Sequence, residues 1–563
     1  MRKNKIWLLS LLLLLVLSAA LVACGKDDGK AVDDGAKGDD KGTTETEKGD
    51  DKGTTETEKG DDKVDERNNH TLVFGRGADS VSLDPSRVTE GESFKVTKNL
   101  YETLVEFGEQ DTTTQPGLAE SWEPSDEGLT YTFKLREGVK FHDDTDFNAE
   151  AVVINFERWA NGDSDTFPYY NSMFGGFKGD EGHVIQSVTA EGEYTVVFKL
   201  ARQQAPFLKN LAMNMFSIAS PAALEKYGDK IESNPVGTGP FKFVEWKKNE
   251  TITIERFDGY WQEGLPKLAK VIFKSIPDNS ARLNELMAGD IDLADGINPS
   301  DGVLIEGNDN LQLFVRPSMN VGYLGLTVTR PPFDKKEVRQ AMNYAIDKQS
   351  IIDAFFEGRA QSAKNPMPPS ISGYNDDIVE YPYDPEKAKE LLASVGLADG
   401  FEMELWAMPV PRPYMPDGGK VAEVIQKNLE DIGIKAKIVQ FEWGTYLEKA
   451  RNGEADAFML GWTGDNGDAD NFMYVLLDKD NIGSNNYTYY SNDELHDIFI
   501  AAQSEVDEDK RNALYKTAQE IIHEDAPWVP LAHSTPLLGG SADLTGFVPH
   551  PTGSDWLLTV DFK

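Results

Sequence analysis

Residues 461–470, with the sequence GWTGDNGDAD, place three aspartates among three glycines and one tryptophan. They follow the apolar run ADAFML at 455–460, which predicts a buried strand. Carboxylates at the end of a core strand can bind a cation or cap the next helix. We expect Asp468 or Asp470 to cap the helix that begins near NFMYVLL. A glycine-flanked aspartate such as Asp465 is most often a turn or cap residue, so the residues alone leave its role open.

Residue spacing argues against several other chemistries. Counted from Asp465 or Asp468, the glycine and the closing glutamate of a calcium loop are out of place. The seven histidines are scattered and no pair has metal-ligand spacing, so we expect no metal site. PVGTGPF at 235–241 lacks the lysine and the hydroxyl of a phosphate loop. With no serine nucleophile elbow, and with Cys24 as the only cysteine, we expect a protein that is not an enzyme and has no cofactor.

The elements on either side of these motifs alternate between strands and helices. Strands are predicted at 401–408, 435–443 and 455–462, and helices at 418–432 and 445–452. This order predicts right-handed crossovers and a largely parallel sheet. Ligands bind such sheets beyond the carboxyl ends of the strands, and residues 461–470 lie at one of these ends.

Similar patterns extend over the rest of the chain. Further strands are predicted at 70–76, 129–141, 194–200, 251–257 and 270–276, and helices at 149–160 and at the start of 280–292. Another helix has Asp384 as its cap, Pro385 in its first turn and Gly396 as its stop. A chain of 563 residues exceeds one compact core, so two or three domains are expected.

The amino-terminal residues predict export. A basic start and an apolar run at 6–22 precede Leu-Val-Ala-Cys, which resembles the bacterial lipobox. We therefore expect residues 1–23 to be a lipoprotein signal peptide and Cys24 to carry the lipid. The apolar run is short for a spanning helix. With no other cysteine, the chain has no disulfide.

Residues 24–69 predict an acidic tether. KGDDKGTTETE at 37–47 recurs at 48–58 and contains no apolar residue, so this segment is expected to be disordered. It could lift a domain off a membrane, or it could be drifted low-complexity sequence. The net charge of the whole chain is −40, which makes a nucleic-acid partner very unfavourable.

Longer motifs resemble one family, the solute-binding proteins of peptide-type ABC transporters that bind dipeptides, oligopeptides or nickel. These motifs occur in family order and are SWEPSDEGLTYTFKLREGVKFHD (121–143), NPVGTGPFKFVEW (234–246), PFDKKEVRQAMNYAIDK (332–348), WAMPVPRPYMPDGGKVAEVIQ (406–426) and GWTGDNGDADNF (461–472). The last two are most similar to the dipeptide-binding branch. The resemblance covers nearly all of the chain from residue 71 onward.

The resemblance implies an α/β fold, a two-lobed periplasmic-binding-protein-like clamshell of class II (cluster C) with an extra domain. One lobe would join domain I (70–102, 233–317 and 535–563) to domain II (103–232). Domain III (318–534) would be the other lobe. Ligand would bind between the lobes, which close by a hinge.

The resemblance also implies ligand-binding residues. Asp465 would bind the peptide amine, and Arg412, in PRPY, would bind the peptide carboxylate. The peptide backbone would pair as an added strand with Gly461, Trp462 and Thr463 on one side and with Thr89 to Gly91 on the other. Trp462, Trp443 and Tyr414 would line side-chain pockets.

The implied function is a lipid-anchored receptor at the extracytoplasmic face of the cell membrane. It would bind dipeptides or short oligopeptides and deliver them to the permease subunits of an ABC importer. We expect a monomer, and a Gram-positive envelope because a lipid anchor retains the protein there. Three alternatives stay open: the same receptor for haem, a nickel chelate or glutathione; a surface hydrolase; and a peptide-sensing or interaction protein.

Overall fold

The structure is a computed structural model that describes residues 70–563. The predicted signal peptide, the lipidated Cys24 and the predicted tether at 24–69 lie outside the described residues. Within residues 70–563, no helix is both long enough and apolar enough to cross a bilayer.

The strands of the described region are, in chain order, β1 (Thr71–Arg76), β2 (Val105–Phe107), β3 (Thr114–Pro116), β4 (Ala119–Ser125), β5 (Thr130–Leu135), β6 (Ile185–Ala190), β7 (Thr195–Leu200), β8 (Phe241–Lys247), β9 (Thr251–Arg256), β10 (Lys270–Ser275), β11 (Leu293–Ile297), β12 (Leu311–Val315), β13 (Asn320–Leu326), β14 (Ala360–Ser362), β15 (Glu402–Trp406), β16 (Lys435–Val439), β17 (Ala457–Thr463), β18 (Trp528–Ser534), β19 (Leu537–Ser541), β20 (Leu544–Thr545) and β21 (Asp561–Phe562).

The α-helices of the same region are α1 (Gly91–Thr97), α2 (Ala149–Ala160), α3 (Pro168–Phe174), α4 (Phe207–Leu211), α5 (Pro221–Tyr227), α6 (Asn279–Ala288), α7 (Gly302–Glu306), α8 (Lys336–Ala345), α9 (Lys348–Phe355), α10 (Pro385–Ser394), α11 (Gly418–Asp431), α12 (Trp443–Arg451), α13 (Ala469–Leu477), α14 (Asp493–Ser504) and α15 (Glu508–Asp525).

Local signals predicted several helices well. α2 has the predicted bounds, 149–160. α10 begins at Pro385, and Asp384 caps it by accepting a hydrogen bond from the backbone N–H of Lys387. Gly396, two residues past the end of α10, has a φ of 82°, a left-handed conformation that glycine adopts without steric cost.

Three large sheets organise the described region. A seven-stranded sheet has the order β12-β19-β11-β1-β10-β9-β8, and a four-stranded antiparallel sheet has the order β4-β5-β7-β6. A six-stranded sheet has the order β14-β18-β13-β17-β15-β16. Their strands come from the ranges predicted for domains I, II and III respectively, and the exact domain boundaries stay predictions.

The six-stranded sheet corrects the prediction of a largely parallel sheet. β15 pairs in parallel with β16 and with β17, as the strand–helix alternation predicts. However, β13 pairs antiparallel with β17 and β18, and β14 pairs antiparallel with β18. The alternation predicted only its own three strands, whereas the others join from segments outside the repeat. The sheet is therefore mixed.

The centre of this sheet is strongly apolar. All seven residues of β13 are buried, and so are the first five residues of β17. The rings of Tyr323 in β13 and Trp528 in β18 stack with centroids 3.7 Å apart. This packing holds β17 firmly, so the residues at its carboxyl end have a fixed support.

Candidate functional site

The segments that carry Asp465 and Arg412 leave the same edge of the six-stranded sheet. β15 and β17 are parallel neighbours, with Leu405 opposite Ala457 and Trp406 opposite Phe458. Arg412 follows the carboxyl end of β15 and Asp465 follows that of β17. The two charged side chains thus belong to loops at one edge, where ligands of α/β proteins commonly bind.

Close packing joins these two loops. A Cβ atom built on Gly461 would lie 2.2 Å from Cδ2 of Tyr414, two residues beyond Arg412. A Cβ atom on Gly322, which is paired with Gly461 in β13, would lie 2.4 Å from the carbonyl oxygen of Tyr414. Both glycines therefore allow the Arg412 loop to lie directly against the sheet, and any larger residue would displace it.

Asp465 is a half-buried carboxylate held by neutral donors. Tyr169 Oη and Asn471 Nδ2 each donate a hydrogen bond to Oδ2 of Asp465, both at 3.1 Å. The backbone N–H of Asp465 donates to Asn471 Oδ1 at 3.0 Å. Burial raises the pKa of Asp465 to about 6, and the two side-chain hydrogen bonds oppose this shift only in part. No Lys or Arg of residues 70–563 acts on this pKa, so the carboxylate has no cationic partner there.

The other two aspartates of this segment are committed to structure. Asp468 caps α13 by accepting from the backbone N–H of Asp470 at 3.0 Å, which confirms one of the two predicted caps. It also receives two hydrogen bonds from Arg511, at 2.7 and 2.8 Å. Asp470 lies in the first turn of α13 and accepts from Gln503 at 3.0 Å. Burial, together with nearby Asp468, raises the pKa of Asp470 to about 7. Of the three acids, Asp465 is the one placed to receive an external cation.

Arg412 lies on an exposed, proline-flanked turn. Its backbone exchanges hydrogen bonds with Met415, and its Nη1 donates to the carbonyl oxygen of Pro411 at 3.2 Å. The guanidinium carbon lies 5.3 Å from the ring centroid of Trp443, a cation–π arrangement. The ion pairs of residues 70–563 include none to Arg412, so its planar fork is available for an external carboxylate.

Gly461, Trp462 and Thr463 form the end of β17. Along one edge they pair with Gly322, Val321 and Asn320 of β13. Along the other edge, the pairing of β17 with β15 ends at Trp406 and Phe458. In the described structure, no named strand covers that edge beyond Phe458. The Nε1 of Trp462 donates to Asn471 Oδ1 at 3.0 Å, so Asn471 links this strand end to Asp465.

Thr89 and Gly91 lie at the start of α1. Both are exposed, and Glu90 between them caps α1. A Cβ atom on Gly91 would have no heavy atom within 4 Å. From α1, the ring of Phe94 packs edge-to-face against Tyr169 at 6.4 Å. The contact between α1 and Asp465 therefore passes through two aromatic rings.

Two residues that donate hydrogen bonds to Asp465 were not predicted from the sequence. Asn471 lies six positions after Asp465 in the same motif, so the motif could have indicated its role. Tyr169 is 296 positions away in α3, and no local pattern connects it to Asp465.

A cavity of about 170 Å³ adjoins Asp465. Its wall combines α1, the β2–β3 hairpin, the segment after α4 and the carboxyl-terminal segment of the chain. The lining residues are Phe94, Lys98, Phe107, Gly108, Glu109, Gln115, Ala212, Asn214, Met215, Asp465, Val548, His550, Thr552, Ser554, Trp556, Leu558 and Thr559.

One group of potential metal ligands was not visible in the sequence. Ligand atoms of Asp478, Asp480 and His496 lie within 4.8 Å of one another. His496 Nδ1 is 3.0 Å from Asp478 Oδ2, which is a hydrogen-bond distance, and Asp478 also accepts from the backbone N–H of Asp480 at 2.9 Å. Hydrogen bonds among its own members therefore explain why this cluster forms at the end of α13.

The chain is similar to known proteins over most of its length. Residues 113–484 match the family model described as "Bacterial extracellular solute-binding proteins, family 5 Middle". The chain is 40% identical to the dipeptide-binding protein of Escherichia coli K12 over 88% of this chain and 95% of that protein. It is 39% identical to heme-binding protein A of Haemophilus influenzae over 88% of this chain and 93% of that protein.

A solved structure shares the fold. It is the ABC transporter-associated periplasmic binding protein DppA of Helicobacter pylori in complex with the peptide STSA. The TM-score is 0.79 at 37% identity, with 87% of this chain and 98% of that chain covered.

Proposed function

Because the chain belongs to family 5 of the bacterial extracellular solute-binding proteins, we propose that it captures dipeptides or short oligopeptides for an ABC importer. The fold is α/β and of the class II periplasmic-binding-protein type, as predicted. Members of this family bind solutes for transport, and the chain is a binding protein rather than an enzyme. The identity of the solute is the part that is proposed.

One observation carries the proposal: within residues 70–563, an acid with no cationic partner and a base with no acidic partner follow neighbouring parallel strands. A dipeptide at neutral pH has an ammonium group at one end and a carboxylate at the other. Burying either charge without a partner is costly, so a receptor for dipeptides needs one group of each sign. Asp465 and Arg412 meet this requirement.

The rest of the peptide would be held through its backbone. The edge of Gly461–Thr463 beyond its pairing with β15 would accept an added strand. We assign the exposed residues Thr89 and Gly91, with Glu90 between them, to the other side of the peptide. Main-chain hydrogen bonds are the same for every dipeptide, so this mode tolerates varied side chains. We assign side-chain contacts to Trp462, Trp443 and Tyr414.

The proposed arrangement has two lobes. Domain I (70–102, 233–317 and 535–563) with domain II (103–232) forms one lobe, and domain III (318–534) forms the other. The proposed partners are small peptides and the permease subunits of the importer, with the receptor acting as a monomer. The family is extracytoplasmic. Attachment to the membrane through a lipid on Cys24 and a Gram-positive envelope stay proposals, and the relatives reported above come from Gram-negative bacteria.

The test is calorimetric titration of the full-length chain with a dipeptide and its two blocked forms. Ala-Phe is expected to bind, N-acetyl-Ala-Phe to lose most of its affinity at Asp465, and Ala-Phe amide to lose less at Arg412. Equal binding of all three peptides, or no binding of any, would overturn the proposal.

Haem is a second candidate, because heme-binding protein A is among the similar relatives. In the described region His550, the histidine of the cavity, already has both ring nitrogens engaged, by the carbonyl oxygen of Asp111 at 3.0 Å and by Thr552 Oγ1 at 2.7 Å. An absorption titration with haem separates the candidates, since a shifted Soret band that dipeptides fail to reverse would favour haem.

A further inference from the structure

We infer that the cavity beside Asp465 receives the side chain of the first residue of the bound peptide and selects large apolar side chains there. This inference rests on the proposed peptide-binding function. The cavity is separate from the ligand contacts proposed above, because Arg412, Tyr414, Trp443 and Trp462 do not line it.

The position of Asp465 determines which part of a peptide reaches the cavity. The amine and the side chain of the first residue are attached to the same Cα atom. When the amine lies on the carboxylate of Asp465, that side chain begins within a few ångströms of it. Since Asp465 is itself part of the cavity wall, the first side chain is the nearest group that can enter.

The size of the cavity fits one side chain. Its volume is about 170 Å³. An apolar cavity of roughly 150 Å³ in a protein core can hold a benzene molecule. Pockets for whole drug-sized ligands are larger, roughly 300–1,000 Å³. The cavity can therefore accept a leucine, methionine or phenylalanine side chain, while the peptide backbone stays outside.

The chemistry of the wall favours an apolar occupant. Its apolar members are Phe94, Phe107, Met215, Val548, Trp556 and Leu558. Four of its polar side chains, those of Lys98, Asn214, Gln115 and His550, are already engaged by other protein groups. Lys98 pairs with Glu106 and lies 4.7 Å from the ring of Trp556. Asn214 donates to Thr97 at 2.8 Å.

Gln115 and His550, also in the wall, are engaged in the same way. Gln115 donates to the carbonyl oxygen of Phe107 at 2.6 Å. Burial lowers the pKa of His550 to about 4, so it is neutral at physiological pH. An acidic first side chain would consequently lose water without gaining a free cationic partner, because Lys98 is paired with Glu106.

Most of this wall lies outside the segment that identifies the family. The matched model covers residues 113–484, whereas Phe94, Phe107 and the carboxyl-terminal residues Trp556 and Leu558 lie beyond it. Preference at the first position thus depends largely on segments that the family model does not cover.

The test is calorimetric titration of the full-length chain with Phe-Gly, Leu-Gly, Gly-Phe, Asp-Gly and Gly-Gly. Phe-Gly and Leu-Gly are expected to bind at least about tenfold more tightly than Gly-Gly, because each buries one large apolar side chain. Asp-Gly is expected to bind no better than Gly-Gly. A gain for Gly-Phe equal to that for Phe-Gly would overturn the inference.

Two variants locate the effect. Ser554 is half-buried in the wall, and Ser554→Trp should fill the cavity and remove the advantage of Phe-Gly over Gly-Gly. Ser394→Trp, at an exposed serine of α10, is the matched control and should keep the advantage.

If Ser554→Trp fails to give a cooperative melting curve, Trp556→Ala takes its place and should reduce the advantage of Phe-Gly by removing wall surface. An advantage that survives these variants would refute the inference, even if Gly-Gly still bound and the proposed function therefore held. Failure of every dipeptide to bind would overturn both.

Discussion

The two charged ends of the proposed site are built differently. The acidic end consists of Asp465, Tyr169 and Asn471, brought together from α3, the loop after β17 and α13, and its carboxylate accepts two hydrogen bonds. The basic end consists of Arg412 on an exposed turn, stacked near Trp443. The acidic end is thus fixed and partly dehydrated before ligand arrives, whereas the basic end keeps much of its water.

This difference predicts which of the two ends contributes more to the affinity for a dipeptide. A fixed carboxylate that is partly buried has already lost part of its hydration in the empty protein. An incoming ammonium group replaces that lost hydration with an ion pair. The guanidinium of Arg412 is half-buried on a turn between two exposed prolines, and it exchanges its remaining water for the ligand carboxylate at little net gain. We expect the acidic end to contribute more affinity and the basic end to contribute mainly orientation and length selection.

The largest expected effect comes from Asp465→Asn, which keeps the shape and removes the charge. Dipeptide affinity should fall at least about 30-fold, because the amine is left buried without a counter-charge, at a cost of about 2–5 kcal/mol. Calorimetric titration measures this loss. The melting temperature of the empty protein should change little, since removing a carboxylate without a cationic partner costs no ion pair.

Asp399→Asn, at an exposed aspartate, is the matched control and should bind dipeptides normally. Unchanged affinity in Asp465→Asn would refute the role assigned to the acidic end.

Arg412→Gln should have a smaller effect, a loss of about fivefold in affinity, because water can replace the half-buried guanidinium as a partner of the ligand carboxylate. Raising the salt concentration should weaken the wild type more than this variant. Arg451→Gln, at an exposed arginine of α12, serves as the control. If Arg412→Gln lost more affinity than Asp465→Asn, the proposed ranking of the two ends would be reversed.

The pH dependence of binding should also come from the acidic end. Burial raises the pKa of Asp465 to about 6 in the empty protein, and only the ionised form attracts the ligand amine. Affinity should therefore be about tenfold lower near pH 5 than near pH 7, as the carboxylate takes up a proton, and should fall again toward pH 8 as the ligand amine loses its proton. Titrations from pH 5 to 8 test this, and a steep fall toward pH 5 that persists in Asp465→Asn would assign the effect to another group.

The smallest effect is expected at Trp443, whose ring lies beside the guanidinium of Arg412. Trp443→Leu should lower affinity by about two- to fivefold, because a cation–π contact at an exposed site contributes about 0.5–1 kcal/mol. Trp443→Phe should restore most of the loss. A leucine variant as good as the wild type would show that stacking does not help to position Arg412.

Sequence patterns predicted what depends on neighbours in the chain. The cap of α10 by Asp384 and the role of Asp468 at α13 are hydrogen bonds between residues two or three positions apart, so composition and spacing determine them. The order of β15, β16 and β17 follows from strands and helices of ordinary length. The family resemblance then supplied the hypothesis for Asp465 and Arg412, which no local pattern distinguishes from surface residues.

The sequence by itself indicated several helices and their caps, the resemblance to the family and the candidate charges. Only the tertiary structure decided the mixed sheet, the contact of Tyr169 with Asp465 and the cavity whose walls join residues near 94–115 to residues near 548–559. The physical reason is the range of the interactions. Caps and turns form within a few residues, whereas a desolvated carboxylate and an apolar cavity depend on surfaces that meet only when distant segments pack together.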